Sequence, residues 1–159
     1  MSVKVGKQAP QFTTEALVGR EFKEISLQQY ADAGKWVVLF FYPRDDTPGC
    51  TKESIGFSDR LSDFAEAGVQ VFGISRDSMD KHDKFAAKHA LTVPLLSDTD
   101  GAVTEAYEVW VEKNMYGKKY MGVERSTFLI DGDGKIANVW RKVKVPGHVD
   151  AVLDAVRGA

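Results

Sequence analysis

The stretch Trp36-Val-Val-Leu-Phe-Phe-Tyr42 is the strongest constraint on how this chain folds. It is continuously apolar, rich in β-branched and aromatic residues, and stopped by Pro43. A strand of that kind has both faces covered, so it belongs in the middle of a sheet with helices on either side. Val69-Gln-Val-Phe-Gly-Ile-Ser75 repeats the pattern. Between the two lies a helix signal. Thr47-Pro48 opens it, Ser54, Phe57, Leu61, Phe64 and Ala65 recur at helical spacing, and Gly68 closes it. Strand, helix and strand in that order predict parallel pairing through a right-handed crossover.

The flanking segments extend this unit. Phe12–Ala16 and Glu21–Ile25 read as a hairpin turning at Gly19. Ser26 is placed to cap a short helix that Gly34 stops. Asp77 or Ser78 caps a further helix with Phe85 and Ala86 on its inner face, running to about Ala90. Pro94–Leu96 is extended, and Asp98 to Val109 reads as another short helix. Arg125–Ile130 and Lys135–Trp140 are strands joined by Asp131-Gly-Asp-Gly134, an antiparallel hairpin, and Val149 to Val156 forms a last amphipathic helix. The expected fold class is α/β: a mixed central sheet flanked by helices, with an N-terminal β-hairpin extension. That outline resembles the thioredoxin-like fold, as a single domain over residues 1–159.

Composition excludes several classes of function. Lys plus Arg is 21 and Asp plus Glu 23, a net charge of −2, without the basic excess of a nucleic-acid binder. Cys50 is the single cysteine, so no internal disulfide forms, and the chain suits a reducing compartment. The longest apolar run, Trp36–Tyr42, is far short of the ~20 residues needed to span a bilayer, and the N-terminus lacks the apolar core of a signal peptide. The expectation is a soluble, cytoplasmic protein with no membrane or nucleic-acid partner.

A lone cysteine is most often a small buried hydrophobe. The surroundings of Cys50 support a second reading. It follows a buried strand and falls in the first turn of a helix, where free backbone N–H groups and the positive dipole end favour a thiolate over a thiol. Thr47 is spaced to bring its hydroxyl to the side of the sulfur, and it also suits a plain helix cap. Gly49 allows close approach of a small substrate to the backbone, or serves the turn alone. The spacing is that of a C-x-x-C site with Thr in the first position, which rules out dithiol exchange within the site.

Pro43, Thr47 and Cys50 form a Pro-x-x-x-Thr-x-x-Cys pattern, and it resembles the peroxiredoxins. Phe40-Phe-Tyr-Pro43, Leu95-Leu-Ser-Asp98, Lys113-Asn-Met-Tyr-Gly117, Glu124-Arg-Ser-Thr-Phe-Leu-Ile130 and Trp140-Arg-Lys-Val-Lys144 are similar to the bacterial bacterioferritin-comigratory-protein, or peroxiredoxin Q, branch. The resemblance covers nearly the whole chain. It implies a thiol peroxidase that reduces hydrogen peroxide and organic hydroperoxides through a Cys50 sulfenic acid, without a cofactor or metal. It also implies that Thr47 and Arg125 donate to the reacting oxygens and that Pro43 shields the thiolate. Arg125 read by itself suits a surface salt bridge equally well.

By the same resemblance, most members of this branch carry a resolving cysteine, either further along the same helix or on the next one. Those positions hold Ile55 and Ala86 here. Cys50 sulfenic acid is therefore expected to be reduced by another molecule's thiol: thioredoxin, glutaredoxin with glutathione, or a second copy of the chain. The branch further implies a monomer or weak dimer. A redox-sensing or binding module with little turnover is the competing expectation, and a thioredoxin-type reductase is disfavoured by the missing second cysteine. His82, His89 and His148 lack metal-ligand spacing, and His82 and His89 are expected at the surface. Asp131–Gly134 resembles the start of a calcium loop but lacks the acidic twelfth position, and reads as a hairpin turn.

Overall fold

The computed structural model describes residues 3–159. Strand β3 (Trp36–Phe41) occupies the interior of a seven-stranded sheet, as its unbroken apolar run requires. Its side chains alternate. Val37, Leu39 and Phe41 enter one core layer with Phe72, Tyr107 and Phe128, while Val38 and Phe40 enter the other with Phe57, Phe64 and Leu153. All five are essentially inaccessible to solvent. Each contributes about 1.5–3 kcal/mol by leaving water, which makes β3 the fixed reference of the fold.

In chain order, hairpin β1 (Thr13–Val18) and β2 (Glu21–Ser26) leads into α1 (Leu27–Asp32) and then β3. Helices α2 (Pro48–Asp59) and α3 (Leu61–Glu66) cross to β4 (Val69–Ser75), and α4 (Met79–His89) crosses to β5 (Leu95–Ser97). After α5 (Ala102–Ala106) come β6 (Trp110–Met115), β7 (Lys118–Val123), β8 (Ser126–Ile130), β9 (Ile136–Trp140) and α6 (His148–Arg157). The sheet order is β2-β1-β5-β4-β3-β8-β9. The β3–β4 and β4–β5 pairs are parallel, and β3–β8, β8–β9 and β1–β5 are antiparallel. This is the mixed, helix-flanked sheet expected from the sequence. The N-terminal hairpin does not stand apart from it, because β1 pairs with β5 and prolongs the sheet.

Three elements differ from the sequence reading. The helix expected from Thr47 to Gly68 is bent at Arg60 (φ −103°, ψ 7°) into α2 and α3. Phe57 and Phe64 enter the same core on either side of the bend, so the apolar spacing runs through it unbroken. The helix expected over Asp98–Val109 is only α5, since the Asp98 carboxylate receives the Val103 and Thr104 N–H groups and fixes a turn before it. Strands β6 and β7 carried no strand signal. They form a separate two-stranded ribbon with Met115, Tyr116, Tyr120 and Met121 exposed.

Candidate active site

The site is built where β3 ends. Tyr42 to Thr47 make the crossing, and α2 begins at Pro48, with Thr47 in extended backbone at its cap position. The Thr51 N–H donates to the Thr47 carbonyl at 2.8 Å and starts the helix. Cys50 lies in that first turn, where backbone N–H groups have no acceptor within the helix. Its side chain is fully buried, packed in the core layer of Phe40, Tyr42 and Phe57.

Arg125 reaches the sulfur. Its Nη2 donates to Cys50 Sγ at 3.2 Å and its Nη1 to Glu53 Oε1 at 2.7 Å. The antiparallel pairing of β3 with β8 sets this up, with Phe41 opposite Ser126, so the start of β8 lies beside the end of β3. Parallel pairing of these two strands would have set Arg125 at the far end of β3. The Arg125 backbone is held too, because Val143 N–H donates to its carbonyl at 2.9 Å.

Glu53 is the group that sequence reasoning missed. It stands one turn beyond Cys50 on the same face of α2, the only signal that marks it. It is wholly buried, and burial raises its pKa to about 7 against the downward pull of the Arg125 charge and hydrogen bond. Its Oε2 has no hydrogen-bond partner among the described residues, and His148 Nε2 lies 4.0 Å from it. His148 exchanges a hydrogen bond with Thr127 Oγ1 at 2.8 Å. Burial, reinforced by the Arg125 charge, pushes its pKa down to about 4, so the imidazole is neutral at pH 7. Burial lowers Arg125 less than Glu53 and Cys50 raise it, which keeps the guanidinium charged.

The other expected residues fall nearby with altered partners. Thr47 Oγ1 donates to the Arg44 carbonyl at 2.9 Å and makes no side-chain cap, so its hydroxyl is committed to the loop. What approaches Gly49 is Arg125: a Cβ there would lie 3.1 Å from Nη2. Pro43 and Thr47 line a groove of about 750 Å³ whose other wall includes Trp110, Lys113, Tyr120 and Met121 of the β6–β7 ribbon. Lys113 is within electrostatic reach of Arg125 and Cys50, with its pKa lowered chiefly by burial. Ala86 faces a small apolar cluster with Leu17 and Met79, and Ile55 lies on α2; neither position offers a thiol.

Two histidine expectations need correction or completion. His82 is not at the surface. It is fully buried, with Nδ1 2.6 Å from Asp45 Oδ2 and Nε2 2.8 Å from the Leu96 carbonyl. His89 is half-buried against Phe85, its Nε2 2.9 Å from Asp46 Oδ1.

The AhpC/TSA family model matches residues 5–139. A putative peroxiredoxin bcp of Coxiella burnetii is 53% identical over 153 residues, 96% of this chain and 98% of that one. Peroxiredoxin Bcp of Bacillus subtilis is 44% identical over 157 residues, 99% and 97% of the two chains. Among solved structures, peroxiredoxin Q of Xanthomonas campestris superposes with a TM-score of 0.85 at 45% identity, covering 92% of this chain and 90% of that one. Another structure of the bacterioferritin comigratory protein from that organism is described in terms of its alkyl peroxide reduction activity.

Proposed function

The chain belongs to the AhpC/TSA family, among relatives named peroxiredoxin Bcp, and on that premise we propose that Cys50 is its peroxidatic nucleophile. The protein is a thiol-dependent peroxidase. The observation that carries the residue assignment is the 3.2 Å hydrogen bond from Arg125 Nη2 to Cys50 Sγ in a site closed to bulk water.

The Cys50 thiolate attacks the terminal oxygen of the hydroperoxide. An S–O bond forms as the O–O bond breaks, sulfur is oxidised to the sulfenic acid, and the departing oxygen takes a proton and leaves as water or alcohol. Negative charge moves from sulfur onto that oxygen. Donors fixed before the reaction stabilise the developing charge at no cost of reorganisation. Arg125 and the first-turn N–H of Cys50 are those donors, and the Thr47 hydroxyl joins them only after turning from the Arg44 carbonyl. Pro43, with no N–H and a rigid ring, keeps water from the sulfur. Hydrogen peroxide and organic hydroperoxides are the substrates, the latter against the apolar wall of the groove beside Pro43 and Thr47.

Cys50 is the single cysteine, so its sulfenic acid is reduced by an external thiol, in a 1-Cys cycle. We take thioredoxin, or glutaredoxin with glutathione, as that thiol. Residues 1–159 act as one domain, monomeric or weakly dimeric, in the cytoplasm; no helix among the described residues is long and apolar enough to cross a membrane. Stopped-flow oxidation with Cys50→Ser as control tests the assignment. It fails if the parent consumes hydroperoxide no faster than free cysteine. A single fast oxidation that no reductant reverses would instead favour a redox sensor, for which the lack of a second cysteine in the chain is the motive.

A further inference from the structure

A second polar network lies on the α4 side of the loop that delivers Cys50. Asp45, in that loop, is held on every side. Tyr42 Oη donates to its Oδ1 at 2.6 Å, His82 Nδ1 meets its Oδ2 at 2.6 Å, and its N–H donates to Asp77 Oδ2 at 2.8 Å. Asp77 is fixed in turn by the Ser75 hydroxyl at 2.7 Å, and its carbonyl receives the Ser97 hydroxyl. His82 and Asp45 have side chains 0% and 5% exposed. The next loop residue, Asp46, adopts a left-handed backbone (φ 60°) that non-glycine residues rarely take. Lys88 Nζ at 2.8 Å and His89 Nε2 at 2.9 Å, both from the end of α4, hold its carboxylate. Helix α4 thus grips two successive loop residues.

The hydrogen-bond inventory of His82 is directional. The Leu96 carbonyl only accepts, so Nε2 carries a proton. Nδ1 then shares a proton with Asp45 Oδ2, whichever of the two bears it, in a contact stronger than a neutral hydrogen bond when charged. The imidazole therefore ties α4, β5 and the loop together at one buried point. The loop carries Thr47, whose carbonyl starts α2 and whose hydroxyl points at Arg44. Its shape sets where Thr47 and Cys50 sit.

We propose that His82 is a positioning residue for the peroxidase reaction: through Asp45 it clamps the Pro43–Thr47 loop in the form that sets Thr47 at the start of α2 and the first turn of that helix at the Cys50 sulfur. The inference rests on the reading of Cys50 as peroxidatic. Helix α4, which presents Ala86 where relatives of this branch carry a resolving cysteine, serves the site here through an imidazole.

The test compares two reactions of Cys50 in the full-length protein. Reaction with hydrogen peroxide depends on the aligned donors, whereas alkylation by iodoacetamide depends on thiolate access alone. His82→Phe keeps the buried ring and removes both hydrogen bonds, and His82→Gln supplies a donor to only one acceptor. Both are expected to slow peroxide oxidation by about 10²-fold, the scale of a 1 Å misalignment, with a much smaller change in alkylation. Asp45→Asn, whose amide donates to Nδ1 while its oxygen still accepts from Tyr42, is expected to retain most of the peroxide rate. The double variant Lys88→Ala/His89→Ala changes partly exposed residues, leaves the core intact, and is expected to lower the peroxide-to-alkylation ratio severalfold. An unchanged ratio in folded His82 variants overturns the clamp; so does an unchanged ratio in the double variant if the His82 variants do not fold. Failure of the parent to outpace free cysteine would instead remove the peroxidatic reading.

Discussion

Two polar clusters flank Cys50, and they differ in how completely they are satisfied. On the α4 side, both oxygens of Asp45, its N–H and both ring nitrogens of His82 have partners. On the β8 side, Glu53 is buried with one oxygen unpartnered among the described residues, its pKa raised to about 7, while Arg125 divides its guanidinium between that carboxylate and the sulfur. A saturated network holds a shape. A cluster left one hydrogen bond short, with shifted titration, is where charge is meant to move. The proposed reaction accordingly draws its alignment from the α4 side of the cysteine and its chemistry from the β8 side.

The largest effect separating the two sides is expected from Arg125→Met. It removes the donor to Sγ, and peroxide oxidation should fall by about 10²–10³-fold in stopped flow. It also strands Glu53, so the melting temperature should drop, and adding Glu53→Gln should recover stability without recovering rate. Recovery of both would mean that Arg125 serves the fold and not the reaction.

Next is Thr47→Val, expected to slow oxidation by about 10²-fold with circular dichroism unchanged, while Thr47→Ser stays near the parent. Equal rates for Val and the parent would show that the hydroxyl never leaves the Arg44 carbonyl.

Glu53→Gln sharpens the contrast through pH. The folded pKa of Glu53, about 7, lies above its unfolded 4.5, so the folded state binds the extra proton. That contribution, about 3 kcal/mol for such a shift, is present below pH 4.5 and lost as pH rises to 7. His148 acts oppositely. Its folded pKa near 4 lies below 6.5, so its contribution is present above 6.5 and lost as pH falls. The two slopes oppose between pH 4.5 and 6.5. In Glu53→Gln the rising His148 limb should stand alone, giving a melting temperature that climbs more steeply with pH than the parent's. Identical profiles would place the Glu53 titration elsewhere.

The smallest effect is expected from Gly49→Ala, whose methyl meets Arg125 Nη2 at 3.1 Å. A modest fall in peroxide rate with stability retained is expected, and no change would show that the guanidinium has room to move.

The parts of this layout that were legible in the sequence are those whose signal is local. An unbroken apolar run specifies β3, and Thr47-Pro-Gly-Cys50 specifies a helix start with a thiol in its first turn. What failed depends on long-range pairing. The approach of Arg125 needs the antiparallel register of β8 on β3, which no local pattern states. His82 sits on a helix of mixed polarity, so its burial is set by Asp45 and Leu96 arriving from elsewhere. The β6–β7 ribbon packs few side chains and is rich in Lys, so the alternation that reveals a half-buried strand is missing.

The central claim is that Cys50 is the residue that the hydroperoxide oxidises, and that it ends as a sulfenic acid with no second cysteine inside the chain. Intact-mass spectrometry with peptide mapping after one equivalent of hydroperoxide, with and without a trapping reagent for sulfenic acids, tests it directly. The account expects one added oxygen on the Cys50 peptide, trapped quantitatively, lost on addition of an external thiol, and absent in Cys50→Ser. Peroxide consumption that persists in Cys50→Ser, or oxygen appearing on methionine while Cys50 stays reduced, would contradict it.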